Sequence, residues 1–250
     1  MQKNAKKYLP VIIFVLVVII IVVIAFIVTD KSSSNTAENI SKNNVESQKT
    51  QLPEENNDAI ENIDQKWSKG NPNGKIQVIE YSDFQCPYCK KGSDIIEKIF
   101  QKYKDNMQIT FVHFPLTSIH PYALPSAKAA EAAGYQGKFW EMHDLLFANQ
   151  KNLTTSDIET YAKKIGLDMD RFNKFLNNKN INAKIEKQMK EIEGKEFDEI
   201  ALDEKGNVVS KGKAKIEGTP AFLVNGKLVV GAYPEEAFDK IIQNALSTAK

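Results

Sequence analysis

The sequence predicts an α/β fold ordered β-α-β, a long helical block, then β-β-α. Three observations carry this. An apolar, β-branched run, Lys75-Ile-Gln-Val-Ile-Glu-Tyr81, leads straight into a helical pattern, with Cys86-Pro-Tyr-Cys89 at the junction. Far downstream, Ala221-Phe-Leu-Val and Lys227-Leu-Val-Val flank Asn225-Gly226, and Asn-Gly between apolar runs is the strongest short hairpin signal. Between these landmarks the apolar residues recur at helical spacing.

The amino end carries Lys3, Lys6 and Lys7, and from Leu9 to Val28 the chain is uncharged and almost entirely aliphatic. About 20 such residues suffice to span a bilayer, and the preceding charges keep the amino terminus cytoplasmic. The rival reading, a cleaved signal peptide, wants a shorter apolar region and a small-residue cleavage site. Phe26-Ile-Val-Thr-Asp-Lys31 offers none, and no cysteine follows for lipid attachment. Residues 1–28 therefore read as a cytoplasmic N-terminus and transmembrane signal anchor. Residues 29–62, rich in Ser, Asn, Glu, Gln and Lys, have too little apolar surface to offset chain entropy and read as a flexible linker. Residues 63–250 suit one domain, with a helical insertion over about 120–196. A formal charge of +1 gives no electrostatic case for nucleic acid.

The only two cysteines are Cys86 and Cys89. With a strand before and a helix after, Cys86 falls at the helix start and Pro87 in the first turn, where a missing N–H costs least. Unpaired N–H groups there favour an anion. Cys86 is thus the expected nucleophile, exposed and with a depressed pKa, and Cys89 the shielded resolving thiol. Each pKa unit of depression stabilises the dithiol by about 1.4 kcal/mol, which makes the disulfide a stronger oxidant. The competing reading is half a zinc site. Zinc wants four ligands, there is no second Cys pair, and His113, His120 and His143 lack ligand spacing. No metal is expected.

Ile96, Ile99, Phe100 and Tyr103 mark the buried face of the first helix, and Met107-Gln-Ile-Thr-Phe-Val-His113 alternates as a strand. Helices are expected at Ser126–Tyr135 and Lys138–Asn149. Ser156-Asp-Ile-Glu159 is read as a capping box opening another, which Gly166 closes. Asp170–Leu176 is a short helix, and Ile181, Ile185, Met189 and Ile192 mark the next amphipathic face. Asp203-Glu-Lys-Gly-Asn207 is a turn signal, so 197–215 reads as an extra hairpin near the active face. Pro220, in Gly218-Thr-Pro220, gives a ladder no donor. It is either a plain strand-start proline or a cis-proline beside the site. Ala237, Phe238, Ile241, Ile242 and Ala245 form one face of the closing helix.

This order, with Cys-Pro-Tyr-Cys at the first helix and Gly-Thr-Pro before the hairpin, resembles the thioredoxin fold over about Lys75 to Ala245. The helical insertion is similar to the DsbA family and the anchor to its membrane-anchored BdbD-type members. Phe114-Pro-Leu116, His120-Pro121 and Gln136-Gly-Lys-Phe-Trp140 fit as well. The fold class is accordingly a thioredoxin fold with an inserted helical subdomain, preceded by a transmembrane helix and a disordered linker. Glutaredoxins share Cys-Pro-Tyr-Cys, but their link to the cis-proline is short. The resemblance implies that Cys86 and Cys89 form a redox-active disulfide, that Pro220 is the cis-proline, and that Pro87, Tyr88 and Thr219 meet substrate. It also places Glu80 where the family often has a buried acid. Desolvation would raise its pKa, letting it exchange a proton with Cys89; the alternative is a Glu80 that points to solvent.

The implied activity is an extracytoplasmic thiol:disulfide oxidoreductase forming disulfides in exported bacterial proteins that carry free thiols. No cofactor is implied, and a DsbB-like or VKOR-like quinone reductase in the membrane would reoxidise it. A tethered reductase or isomerase on the same fold, and a non-catalytic tethered binding or chaperone module, are the alternatives.

Overall fold

The structure, a computed structural model, describes residues 66–203 and 207–248. The expected anchor Leu9–Val28 and the linker 29–62 lie outside the described residues. Among those that are described, no helix is long and apolar enough to cross a membrane.

The described chain runs β1 (Trp67–Gly70), β2 (Ile76–Ser82), α1 (Pro87–Tyr103), β3 (Met107–His113), five helices, then β4 (Phe197–Leu202), β5 (Val208–Ala214), β6 (Ala221–Val224), β7 (Lys227–Val230) and α7 (Glu235–Thr248). The five are α2 (Ala123–Gly134), α3 (Phe139–Ala148), α4 (Thr155–Lys164), α5 (Met169–Leu176) and α6 (Lys179–Ile192). The strands form one sheet in the order β1-β3-β2-β6-β7-β4-β5. β2 and β3 are parallel, and β2 and β6 antiparallel. Asn225 and Gly226 adopt positive φ, 48° and 80°, in the β6–β7 turn. The Asn225 side chain accepts from the Gln77 N–H and donates to the Lys75 carbonyl, tying the turn to β2.

Three apolar clusters organise the domain. Ile76, Val78, Ile96, Ile99, Ile109, Phe222 and Phe238 fill the layer between sheet, α1 and α7. Trp67, Phe84, Phe111, Phe139, Met142 and Phe172 build the core of the helical insertion, which reaches Cys86 and Cys89. A smaller cluster of Tyr81, Ile192, Ile216, Leu223 and Leu228 forms the third. Alternate strand residues share a face, so Glu80 falls on the buried side of β2 with Ile76 and Val78.

Four expectations need correction. The strand β1 was not anticipated, because four residues, Trp67-Ser-Lys-Gly70, are too few to show a period. The box at the head of α4 is Thr154 with Asp157, not Ser156 with Glu159: Thr154 Oγ1 accepts from the Asp157 N–H, and the Asp157 carboxylate receives the Thr154 N–H. Two overlapping patterns lie here, and the earlier hydroxyl caps the first free N–H groups. The extra hairpin forms, as β4–β5, but it extends the sheet beyond β7, away from β2, instead of bordering the active face. The fourth, the exposure of Cys86, belongs to the site.

Candidate active site

The loop from β2 to α1 is held at several points. Asp83, fully buried, accepts the Gln85 N–H on Oδ1 at 2.8 Å and the Leu116 N–H on Oδ2 at 2.9 Å. The same Oδ2 lies 2.7 Å from Nδ1 of His120. The Gln150 amide donates to the carbonyls of Phe84 and Cys86, both at 2.8 Å. The loop is thus fastened both to the segment after β3 and to the end of the α3 region, which fixes the first turn of α1. Cys86 caps α1 with extended backbone (φ −71°, ψ 121°) and Pro87 follows in the first turn. The Cys89 and Lys90 N–H groups donate to the Cys86 carbonyl.

Both thiols are free. Cys86 is 5% exposed and Cys89 0%. The order matches expectation, but the expected open exposure of Cys86 is wrong: the insertion core and the facing loop close over most of it, and Pro87 and Tyr88 take the solvent side. Cys86 Sγ–H donates to the Thr219 carbonyl at 3.6 Å, and the Asp83 N–H donates to Cys89 Sγ at 3.4 Å. The Cys86 thiol is drawn down from its ordinary 9.0 to about 6. The Cys89 thiol as hydrogen-bond donor is the largest cause; burial opposes it, and the Cys89 N–H, the Thr219 hydroxyl and the Tyr88 N–H add to it. Helix-end N–H groups therefore contribute, though less than the neighbouring thiol. Burial pushes Cys89 strongly upward.

The Thr219–Pro220 peptide bond is cis and Pro220 is buried. Of the two readings of Pro220, the cis-proline facing the cysteines is the one found. α1 reaches it at Gly92, where a Cβ would stand 3.0 Å from Phe222 and 3.2 Å from Pro220. A larger residue would push the helix off the loop. Tyr88 (67% exposed), Ile119 and Tyr122 leave apolar surface on the rim, and the Tyr122 N–H is held by Gln85.

Glu80 is buried, 1% exposed, and its Oε1 has no hydrogen-bond partner among the described residues. Burial raises its pKa from 4.5 to about 7, against smaller opposing effects of Ser82 and Lys69. No described hydrogen bond joins it to either sulfur. Of the residues expected from the sequence, the structure brings Cys86, Cys89, Thr219 and Pro220 together, sets Pro87 and Tyr88 on the solvent side, and buries Glu80 with no hydrogen bond to either sulfur. Sequence reasoning had missed Asp83 and Gln150, whose roles depend on contacts distant in sequence. Asp83-x-Gln85, an Asx turn before the helix, was the available signal.

A dithiol at a helix N-terminus, faced by a cis-proline loop on a central sheet, defines a thioredoxin-type site. The chain belongs to the thioredoxin family: the family model described as Thioredoxin matches residues 61–244. A thioredoxin-like oxidoreductase from Silicibacter pomeroyi shares the fold, with 22% identity, a TM-score of 0.59, and coverage of 76% of this chain and 100% of that one. Wolbachia pipientis alpha-DsbA1 shares it too, with 20% identity, a TM-score of 0.58, and coverage of 74% and 93%. Among curated proteins, the Na(+)/H(+) antiporter NhaA 3 of Salinispora tropica is 35% identical over 187 residues, 75% of this chain. The chain spans only 26% of that relative's length, so the likeness concerns one part of a larger protein.

Proposed function

We propose that the chain is a membrane-anchored, BdbD-type thiol:disulfide oxidoreductase that passes the Cys86–Cys89 disulfide to exported proteins. The observation that carries this is the unequal pair: a Cys86 thiol drawn down to about 6 beside a Cys89 thiol pushed up, both facing the Thr219–Pro220 loop. A thiolate stabilised in the dithiol form makes the corresponding disulfide oxidising. A substrate thiolate attacks Cys86 Sγ, the Cys86–Cys89 bond breaks, and Cys89 leaves with the electron pair. Glu80, about half protonated near pH 7, supplies the proton that neutralises it. A second substrate thiolate then attacks its own mixed-disulfide sulfur and releases Cys86 as thiolate. The substrate dithiol has lost two electrons and the enzyme disulfide has gained them.

Tyr88, Ile119 and Tyr122 offer apolar rim contacts to unfolded or folding exported chains. The aliphatic stretch Leu9–Val28 supports tethering, with the catalytic domain outside the cytoplasm. A membrane quinone reductase of the DsbB or VKOR type would restore the disulfide. A reductase or isomerase role predicts a more negative potential for the same pair, which equilibration against glutathione separates.

The test is trapping in cells. Cys89→Ala should accumulate dithiothreitol-sensitive adducts with exported proteins on non-reducing gels, and Cys86→Ala almost none. Adducts with neither variant would count against the oxidoreductase reading; the reverse pattern would overturn the nucleophile assignment.

A further inference from the structure

Asp83 is 1% exposed, and no step of the exchange above uses it. Its carboxylate gathers the Gln85 N–H on Oδ1 and, on Oδ2, both the Leu116 N–H and Nδ1 of His120. The two groups on Oδ2 come from a single turn, closed by the His120 N–H on the Leu116 carbonyl at 2.9 Å. The chain just before that turn grips the same place from the other side: the Phe114 N–H donates to the Ser82 carbonyl at 2.9 Å. The peptide unit joining Ser82 to Asp83 is thus held at its carbonyl by residue 114 and, through the Asp83 side chain, by residues 116 and 120. The N–H of that unit is the one that donates to Cys89 Sγ, at 3.4 Å. Capping the loop would not require this N–H to face sulfur. Burial raises the Cys89 thiol most, and Cys86 adds to it; the Thr219 hydroxyl and the Asp83 N–H act the other way. Once a substrate sulfur is bonded to Cys86, the Cys86 thiol is spent, and those two influences remain against burial.

We propose that Asp83 is a further catalytic residue: its backbone N–H carries the charge that develops on Cys89 Sγ as the Cys86–Cys89 bond breaks, and the clamp of Leu116 and His120 on its carboxylate aims that N–H. The inference rests on the exchange reading above. A substrate thiolate bonds to Cys86 Sγ, and the electron pair of the broken S–S bond goes to Cys89 Sγ. The Asp83 N–H strengthens its hydrogen bond to that sulfur and keeps its own proton; the proton that ends on sulfur comes from Glu80. The N–H plays the part that preorganised amide groups play at an oxyanion. The groups that act on the Cys89 thiol are Cys86 on α1, Thr219 before β6 and Asp83 after β2; His120 faces Asp83 from the segment after β3. His120 touches no reacting atom and is a positioning residue.

Resolution of a mixed disulfide crosses the same transition state from the other side, with Cys89 attacking. The full-length chain, reduced, would be mixed with one equivalent of dithiobis(nitrobenzoic acid) across pH. Cys86 releases the first coloured thiolate, and Cys89 releases the second as it closes the disulfide. Asp83→Glu keeps the charge and displaces the carboxylate from the Leu116 N–H and His120. The second phase should slow at least about threefold at neutral pH, because a hydrogen bond to a full charge is worth about tenfold or more and the transition state carries about half of it. Its pH midpoint should move up by about one unit, with the first phase and its midpoint as in wild type. A loop merely loosened would move the midpoint down, because burial is the main cause of the raised Cys89 thiol and water would relieve it. His120→Asn, at a side chain 17% exposed, tests the clamp without altering Asp83. It should raise the Cys89 midpoint and leave that of Cys86, whereas a lost charge would move both. If Asp83→Glu does not fold, His120→Asn decides alone. A Cys89 midpoint that is unmoved, lowered, or displaced together with that of Cys86 refutes the N–H assignment with the exchange reading intact. A wild type with no second phase refutes both.

Discussion

Among the described residues two glutamates are buried completely, and they have opposite fates. Glu80, on β2, has an orphaned oxygen, a cavity beside it and no cation in contact; burial lifts its pKa to about 7. Glu131, on α2, lies 2.7 Å from Lys184 Nζ of α6 and 3.1 Å from His113 Nε2 at the end of β3. Burial pushes Glu131 upward too, but His113 and Lys184 more than cancel it, and its carboxyl is held below the ordinary value. Lys184 in turn lies 4.8 Å from the Trp67 ring. Depth alone thus does not set the protonation state of a carboxylate; the cation in contact does. One site leaves a protonatable carboxyl beside a cavity. The other pins two helices of the insertion to the sheet.

The largest effect should come from making Glu131 resemble Glu80. Lys184→Met keeps most of the volume but takes the lysine from a buried carboxylate and leaves His113 beside it; the cost of breaking such a pair is about 3–5 kcal/mol. Adding Glu131→Leu should recover much of that loss, because well-packed apolar groups replace buried pairs at little cost. Urea unfolding of the single and double variants measures both. A single-variant loss below about 1 kcal/mol would mean that solvent reaches Glu131, and the comparison would fail.

Next comes Glu80→Gln, read as stability against pH in the dithiol form. The folded pKa is raised, so the protonated fold is favoured. That contribution is complete below the unfolded value of 4.5 and lost as pH rises through about 7. Wild type should therefore forfeit about 3 kcal/mol between pH 4 and pH 8 that Glu80→Gln does not. The Cys86 titration is common to both proteins and cancels in the difference. A difference that stays flat with pH would show a solvated Glu80.

The same contrast explains what the sequence could disclose. Glu80 was singled out by the resemblance, from its place six residues before Cys86, with a solvent-facing side chain as the alternative; the pleat of β2 puts it on the buried face. The cysteines, Pro220 and the Asn225-Gly226 turn were legible because each signal lies within a few residues. Glu131 sits in the alanine-rich α2 with nothing nearby to mark it, and its partners stand at 113 and 184. Asp83 and Gln150 acquire their roles from loops joined only in three dimensions. The short β1 and the choice between two overlapping caps at α4 fell below the resolution of any periodic pattern.

The smallest expected effect is also the sharpest test of contact against distance. Lys69 is the cation that acts on Glu80, and it lowers the carboxyl only as a minor influence after burial and Ser82. Its ammonium is engaged elsewhere, paired with Glu97 and 4.4 Å from the Trp140 ring. Lys69 is also part-exposed, 23% at the side chain, so its loss should alter stability by no more than about 1 kcal/mol. Lys69→Met should still move the Glu80 midpoint upward from about 7, since a favourable charge is removed and burial is unchanged. Lys69→Arg, which keeps the charge, should leave the midpoint in place. The carbonyl stretch of protonated Glu80, identified by its absence in Glu80→Gln, follows this titration directly in infrared difference spectra. A midpoint unmoved in Lys69→Met would mean that cavity water screens the lysine from the carboxylate. A shift in Lys69→Met as costly to stability as Lys184→Met would make Lys69 a contact partner after all, and the two glutamates would no longer represent different solutions to burial.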